Sequence, residues 1–218
     1  MLRLRPRPAE PLLFTTLPVA SLEPTNSQYK MTYSNIPRAS IHVGSNKKAF
    51  SSQMGNEAER RGWDEKRYRL RNAETEKNSH YNNSRKHLNF EIAKGCKIMP
   101  LGSNPVPLHE RLQIRHDKLG FKPYMDAKHP NQIAKNSPNS LVNIIFGGDH
   151  EVMKKLAFGD QEIDTSDPYA DNSHIKLMPA ITDWAKDTYR FCCRLWGEEN
   201  IIGFDVHCDE TGVHAHVL

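Results

Sequence analysis

The sequence predicts an α+β fold in which helices pack on one face of an antiparallel sheet. Short apolar segments typical of strands alternate along the chain with longer segments of helical spacing. The last two strand-like segments are separated by a tight turn, so they form an antiparallel hairpin. Mixed helices and antiparallel strands favour one sheet covered by helices, and 218 residues suit one such domain with a tail.

The composition excludes a membrane-spanning protein and a disulfide scaffold. Only 37% of the residues are hydrophobic, and no run approaches the roughly 18 consecutive apolar residues of a membrane helix. The four cysteines form no CxxC pair. We therefore expect reduced thiols and a cytoplasmic location. The cysteines are Cys96, Cys192, Cys193 and Cys208.

The net charge of +4 conceals an asymmetry along the chain. Residues 31–125 carry 18 basic and 9 acidic side chains, whereas residues 126–218 carry 8 and 15. A basic middle segment suits a polyanion such as nucleic acid, although a solvated charged surface explains it equally well. The cations between Arg60 and Arg71 would add attraction that weakens with salt, or would line a solvated helix.

The first 30 residues differ from the rest of the chain. They contain five of the 14 prolines, and their apolar residues never form the uninterrupted run of a signal peptide. We predict a disordered, Pro-rich leader over residues 1–30, followed by a domain over residues 31–218. We expect this leader to be translated upstream sequence, with Met31 as the natural start; a flexible linker or arm is the alternative.

The local patterns place most of the elements. The run at residues 141–146 is a buried strand that ends at Gly147, and the spacing over 179–196 predicts the clearest helix, with Trp184 and Trp196 in the core. The remaining predictions are a strand at 39–43, helical or loosely ordered structure at 55–78, a helix at 106–119 that buries Leu108, Leu112 and Leu119 before Gly120, loops at 121–139 and 160–174, and a helix at 150–158 closed by Gly159.

The hairpin at the end of the chain carries a cluster of histidines. A two-residue turn at Thr211-Gly212 pairs His207 with His216, whereas a four-residue loop pairs His207 with His214. Both registers place the three imidazoles on one face of the hairpin, because side chains alternate along a strand. Three imidazoles beside carboxylates suit a divalent metal with open positions, such as Mn²⁺ or Mg²⁺ in function and Zn²⁺, Co²⁺ or Ni²⁺ as other occupants. An exposed polar hairpin is the alternative.

This segment resembles the HxDExxPHxH motif of the MobV (Mob/Pre) family of plasmid and transposon relaxases, in the wider HUH group. Val213 replaces the usual proline, and the matching positions are His207, Asp209, Glu210, His214 and His216. The block from Ser84 to Ile92 is similar to the family's SRxHLNYEL block, with Phe90 in place of its tyrosine. The stretches 143–159 and 196–204 are similar to mobilization proteins of Bacteroides type, so the resemblance begins near residue 39.

The resemblance implies an HUH-relaxase-like α+β fold, with helices packed on an antiparallel sheet. Because relatives continue beyond the last histidine, we expect this chain to be truncated at its C-terminus, with the last strand of the hairpin a poorly supported edge. The implied activity is metal-dependent transesterification that nicks one DNA strand at an origin of transfer and leaves a covalent 5′-phosphate link, for conjugative mobilization and plasmid recombination. The implied partners are single-stranded or hairpin origin DNA and conjugation coupling machinery, without membrane insertion.

Residue roles follow by position. The resemblance makes His207, His214 and His216 ligands of Mn²⁺ or Mg²⁺, while Glu210 completes the metal shell or acts as a base. Asp209 orients an imidazole or is only a turn acid. The residues expected to contact DNA are Arg85, Lys86, His87 and Asn89.

The nucleophile departs from the family pattern. Many members use the histidine of a His-Asn-x-Arg motif, but the corresponding stretch from Gln53 to Arg60 contains no histidine. Tyr81 is the expected replacement and His80 the second candidate, and either is otherwise a surface loop residue. Two other interpretations stay open: a catalytically inactive remnant that binds origin DNA, and a phosphodiester hydrolase that uses a metal-bound water.

Overall fold

The computed structural model describes residues 40–46, 52–75 and 80–218, and it confirms an α+β fold built on one open antiparallel sheet. The predicted leader and Met31 lie outside the described residues. The strands are β1 (Ser40–Asn46), β2 (Phe90–Ala93), β3 (Lys97–Pro100), β4 (Leu141–Gly147), β5 (Phe204–His207) and β6 (His214–Val217). Their spatial order is β1-β4-β6-β5-β2-β3, and every neighbouring pair is antiparallel.

Five α-helices accompany the sheet in the described part of the chain, and none of them is long and apolar enough to cross a membrane. They are α1 (Ser52–Ala58), α2 (Glu65–Glu74), α3 (Leu108–Leu119), α4 (His150–Phe158) and α5 (Pro179–Trp196), with short 3₁₀ helices at Asn83–Leu88 and Glu198–Asn200. The predicted bounds of α4 and α5 are confirmed, and α3 begins two residues later than predicted. The β2–β3 hairpin was not predicted, because its strands are only four residues long.

Helices α4 and α5 cover one face of the sheet and form the main core with it. Pro179 occupies the first turn of α5, where a missing N–H has no consequence. Ile181, Ala185 and Cys192 follow at helical spacing and are fully buried. The prediction that Trp196 lies in the core is wrong: it is 39% exposed, because the buried stripe of α5 ends one turn earlier.

The opposite face is partly covered by α3, so the prediction of helices on one face only is wrong. Leu108 and Leu112 of α3 pack there against Leu141 and Leu218. The α3 helix ends as predicted at Gly120, which has a left-handed φ of 61°. Leu119, expected on its buried face, is instead 58% exposed because the last turn of α3 extends past this small cluster.

Strand β6 lies inside the sheet, between β5 and β4, so the prediction that it is a poorly supported edge is wrong. Strand β4 comes about 70 residues earlier in the chain and pairs Ile145 with His216. Ala215 and Val217 point toward α4 and α5 and are buried, which leaves His214 and His216 on the other face. No local pattern encodes this pairing of distant strands.

The packing of α5 predicts different costs for two truncations on one helix. Ile181→Ala removes a fully buried side chain and should lower the free energy of unfolding by about 2–5 kcal/mol. Leu195→Ala, at a position that is 55% exposed, should change it by less than about 1 kcal/mol. Urea unfolding followed by circular dichroism measures both. Equal losses for the two variants would contradict the assignment of the buried stripe.

Candidate metal centre

The β5–β6 hairpin adopts the register of the longer loop, in which His207 pairs with His214. The three imidazoles of His207, His214 and His216 lie on one face, with ring centroids 4.8–5.5 Å apart. Cys208 points to the opposite face and is buried in the main core, which confirms that it is not part of the cluster. Among the described residues, these histidines are the one group of three or more that could hold a metal ion.

Hydrogen bonds to the outer nitrogens assign a tautomer to two of the rings. His214 Nδ1 lies 2.9 Å from the carbonyl oxygen of Gly212, and His216 Nδ1 lies 3.2 Å from Oδ1 of Asn143. Since both partners are acceptors, each Nδ1 carries the proton and each Nε2 carries a lone pair. The two Nε2 atoms are 3.0 Å apart. Two lone pairs at this distance repel each other unless a cation lies between them.

These residues fit a divalent metal. Metal–nitrogen bonds of about 2.0–2.1 Å, at tetrahedral to octahedral angles, place ligand atoms about 2.9–3.4 Å apart. The Nε2 atoms of His214 and His216 are already at this separation, and one nitrogen of His207 lies within 4.8 Å of them. Burial and the neighbouring rings lower the pKa of His216 to about 2, so this ring is neutral, as a ligand must be.

His207 is held by the protein at both of its ring nitrogens. Nε2 donates to the carbonyl oxygen of Ala58 at 2.8 Å, which leaves the lone pair on Nδ1. That atom lies 3.3 Å from Nη2 of Arg60 and 3.1 Å from Oε1 of Glu210. Burial, followed by the Arg60 charge, lowers the pKa of His207.

Arg60 is a residue of this site that the sequence analysis missed. It is 5% exposed and adopts a left-handed φ of 53°, which is uncommon outside glycine. Its Nε donates to Asp209 at 3.0 Å, and its Nη2 donates to Glu210 at 2.5 Å. The guanidinium also lies over the ring of Trp63, 4.6 Å from the centroid. The sequence showed only one arginine within a charged run, whereas its partners lie about 150 residues away.

The two acids of the motif have different surroundings. Asp209 is fully buried and accepts hydrogen bonds from Arg60 and from the Tyr68 hydroxyl, the latter at 2.5 Å. Burial alone would raise its pKa, but the Arg60 charge outweighs burial and lowers it. Glu210 lies between His207 and His214, with Oε2 3.9 Å from His214 Nε2. Of the two acids, only Glu210 faces the imidazoles.

The side chain of Tyr81 reaches the same cavity as the histidines. This cavity has a volume of about 640 Å³, and Tyr81, Arg60 and Glu210 line it together with the three rings. Burial, followed by the negative charge of Glu210, raises the pKa of the Tyr81 phenol. His80, the second nucleophile candidate, uses its backbone to hold Thr211 and is not among the residues that line the cavity.

The residues expected to contact DNA fall into two groups. Arg85 is 1% exposed and donates to the carbonyl oxygens of Cys208 and Glu210, at 2.9 and 3.1 Å. Asn89 is also buried, and its Oδ1 accepts from the backbone N–H groups of residues 208 and 209. By contrast, His87 is exposed, and Lys86 is half-buried and donates to a backbone carbonyl.

The charged run between Arg60 and Arg71 is not one solvated helix. Arg60 is buried, Arg61 pairs with the buried Glu59, and Arg71 pairs with Glu57. The exposed cations of this run lie on the outer side of α2. One of them, Arg69, pairs with Glu65. Much of the positive charge in this segment is therefore neutralised within the protein.

Fold and site together define a class: an open antiparallel α+β domain with a three-histidine centre on one face of its sheet. No family model and no curated protein matches the chain. Three solved structures similar to it are of the MobM relaxase domain (MOBV; Mob_Pre), Mn-bound and bound to plasmid pMV158 oriT DNA. They are thus relaxase domains of the family that the histidine motif resembles.

The likeness to these structures is distant in sequence. The structure at pH 6.8 has 16% identity and a TM-score of 0.49. Those at pH 4.6 and pH 5.5 each have 14% identity, with TM-scores of 0.44 and 0.45. Each match covers 82% of this chain and 68% of the matched chain.

The buried ion pair predicts a pH-dependent cost for Arg60→Met. At pH 7 the variant leaves Asp209 charged and buried without its partner, which should lower the free energy of unfolding by about 3–5 kcal/mol. Because Arg60 lowers the pKa of Asp209, this stabilisation is present above the unfolded-state pKa and is lost as the pH falls through the folded-state pKa. The difference from wild type should therefore shrink only below the ordinary carboxyl pKa of 3.8, and be smaller at about pH 2 than at pH 7.

Urea unfolding at both pH values measures the effect. Arg69→Met is the matched control, since the Arg69–Glu65 pair is exposed and its loss should leave stability unchanged. A cost for Arg60→Met that stays constant with pH would contradict the role assigned to the Asp209 charge.

Proposed function

We propose that this protein nicks one strand of DNA at an origin of transfer by metal-dependent transesterification, and remains linked to the 5′-phosphate. One observation carries the proposal. The paired Nε2 atoms of His214 and His216, the Glu210 carboxylate and the Tyr81 phenol converge in one cavity. The match of the histidine segment to the relaxase motif supports the same reading. The role in conjugative mobilization and plasmid recombination follows from this activity.

The histidines would hold Mn²⁺ or Mg²⁺, which would polarise the scissile phosphate and offset its developing charge. Glu210 is ionised: burial raises its pKa, but the neighbouring histidines and the Arg60 charge outweigh burial and hold its pKa well below the usual range. A carboxylate with so low a pKa is a poor base. The position of Glu210 against His207 and His214 favours its other expected role, in which its negative charge completes the metal shell.

Tyr81 would be the nucleophile. Its phenol oxygen forms a bond to phosphorus, the bond from phosphorus to the 3′-oxygen breaks, and the 5′-phosphate stays on the tyrosine as an ester. The phenol proton passes to solvent or a base, and the departing 3′-oxygen takes up a proton. The raised pKa keeps the phenol protonated at neutral pH, so attack requires nearby positive charge or a proton acceptor.

Arg85 and Asn89 would support this reaction from inside the protein. Their hydrogen bonds fix the backbone of residues 208–210, from which the Glu210 side chain extends. We assign them to positioning this segment. Contact with the DNA backbone then falls to Lys86 and His87, which lie on the accessible side of the same 3₁₀ helix.

A binding remnant without nicking activity is the second candidate. The observation that favours it is the absence of a histidine between Gln53 and Arg60, together with the burial and the Glu210 charge that raise the pKa of the Tyr81 phenol. Such a protein would bind origin DNA equally well with and without a divalent metal.

Nicking is tested with the full chain, Mn²⁺ and labelled single strands of the DNA that flanks its own gene. Wild type should give a covalent protein–DNA adduct that survives denaturing electrophoresis. Tyr81→Phe should abolish the adduct and retain Mn²⁺ binding in calorimetry, because it removes only the attacking oxygen. His214→Ala should abolish both, because it removes a ligand.

The three interpretations give different outcomes. An adduct in wild type that persists in Tyr81→Phe would exclude Tyr81 as nucleophile. Cleavage into free products without an adduct would favour a hydrolase. DNA binding that is independent of metal, with no cleavage, would favour the remnant.

The DNA surface is tested by the salt dependence of binding. Lys86→Ala should weaken binding to all sequences and reduce the slope of log K against log salt concentration by about one, since one phosphate contact is lost. The matched control is Lys155→Ala, because Lys155 is exposed on α4, across the sheet from the histidines. Fluorescence anisotropy with a single-stranded oligonucleotide measures both slopes. Equal slopes for Lys86→Ala and wild type would exclude a contact between Lys86 and phosphate.

A further inference from the structure

We propose that Asn143 is a positioning residue that sets the affinity of the three-histidine centre for a divalent cation. Its side-chain oxygen holds the His216 ring with Nε2 directed at Nε2 of His214. Asn143 lies outside the histidine motif, on a strand more than 60 residues earlier in the chain. The inference rests on the metal centre of the proposed function.

The register of the sheet brings Asn143 to the cluster. Strand β4 pairs Ile145 with His216, so Asn143 is the diagonal neighbour of His216 on the same face. Its Oδ1 lies 3.2 Å from His216 Nδ1, and its side chain lines the cavity of the three imidazoles. The contact therefore follows from strand pairing and does not depend on a loop.

The sequence of β4 sets Asn143 apart. It is the one polar side chain within Leu141–Phe146, and asparagine is disfavoured in strands. Leu141, two residues before it on the same face, is buried in an apolar cluster, so an apolar residue would suit this strand. A residue type that is disfavoured in its element of secondary structure is expected to serve another role at that position. Here the hydrogen bond to His216 supplies that reason.

In the other two rings the protonated nitrogen donates to the backbone. His207 donates from Nε2 to the carbonyl oxygen of Ala58, and His214 donates from Nδ1 to that of Gly212. Only His216 donates its N–H to a side chain, since Arg60 and Glu210 contact His207 at its other nitrogen. A neutral imidazole carries one N–H and one lone pair, so an acceptor at Nδ1 fixes the lone pair on Nε2. The orientation of His216 is therefore the one that a single substitution can release.

Two measurements on the full chain test the inference. Nitrogen-15 NMR of the imidazoles in metal-free protein reports which ring nitrogen of His216 carries the proton. Calorimetry with Mn²⁺ alone reports affinity. Asn143→Leu keeps the size of the side chain without the acceptor, and should lower Mn²⁺ affinity roughly 10- to 100-fold and raise the fraction of His216 protonated on Nε2. Asn143→Asp keeps an acceptor oxygen and should retain the wild-type tautomer and affinity.

The control is Asn139→Leu, an exposed position two residues before β4, which should change neither measurement. Asn143→Ala is the second variant if Asn143→Leu does not fold. Unchanged tautomer and affinity in a folded Asn143→Leu or Asn143→Ala variant would overturn the inference. If wild type binds no Mn²⁺, the metal centre of the proposed function fails together with the affinity claim, while the tautomer measurement still decides whether Asn143 orients His216.

Discussion

The buried guanidinium of Arg60 is the contact on which the arrangement of the site depends. It joins the segment after α1 to the turn between β5 and β6, by hydrogen bonds to Asp209 and Glu210. Two adjacent carboxylates in a buried turn repel each other and would raise each other's pKa. With Arg60 between them, both stay ionised, and the three groups carry a net charge of −1. This charge lies directly beside the three imidazoles and favours a cation there.

The turn is held from a second side by the block that the sequence analysis assigned to DNA. The side chains of Arg85 and Asn89 form hydrogen bonds with the backbone of residues 208–210. The N–H of Asn82 donates to the carbonyl oxygen of Asp209 at 2.7 Å. Polar residues of a motif can thus hold the backbone of a site in place. The sequence does not distinguish a residue that binds DNA from one that binds the protein backbone, because the donors that bind a phosphate also bind a carbonyl group. Burial, which only the structure provides, separates the two roles.

The elements predicted correctly are those with a local signal. The spacing from Ile181 to Cys192 and the stops at Gly120 and Gly159 need no distant partner, and the shared face of the histidines holds in either register of the hairpin. The failures have the opposite cause. The interior place of β6 depends on β4, and the role of Arg60 depends on acids 149 and 150 residues away. Leu119 and Trp196 fit the helical pattern but lie where the core has ended.

The electrostatics of the cavity couple the metal centre to the candidate nucleophile. The negative charge of Glu210 contributes to the raised pKa of Tyr81, which opposes formation of a phenolate. A divalent charge held by the imidazoles beside Glu210 would reverse the sign of this influence and lower the phenol's pKa. Under the proposed function, nicking would therefore require a divalent ion even if the ion and the phenol oxygen never touched. Glu210 is suited to carry that coupling, because it contacts His207 and shares the cavity with Tyr81.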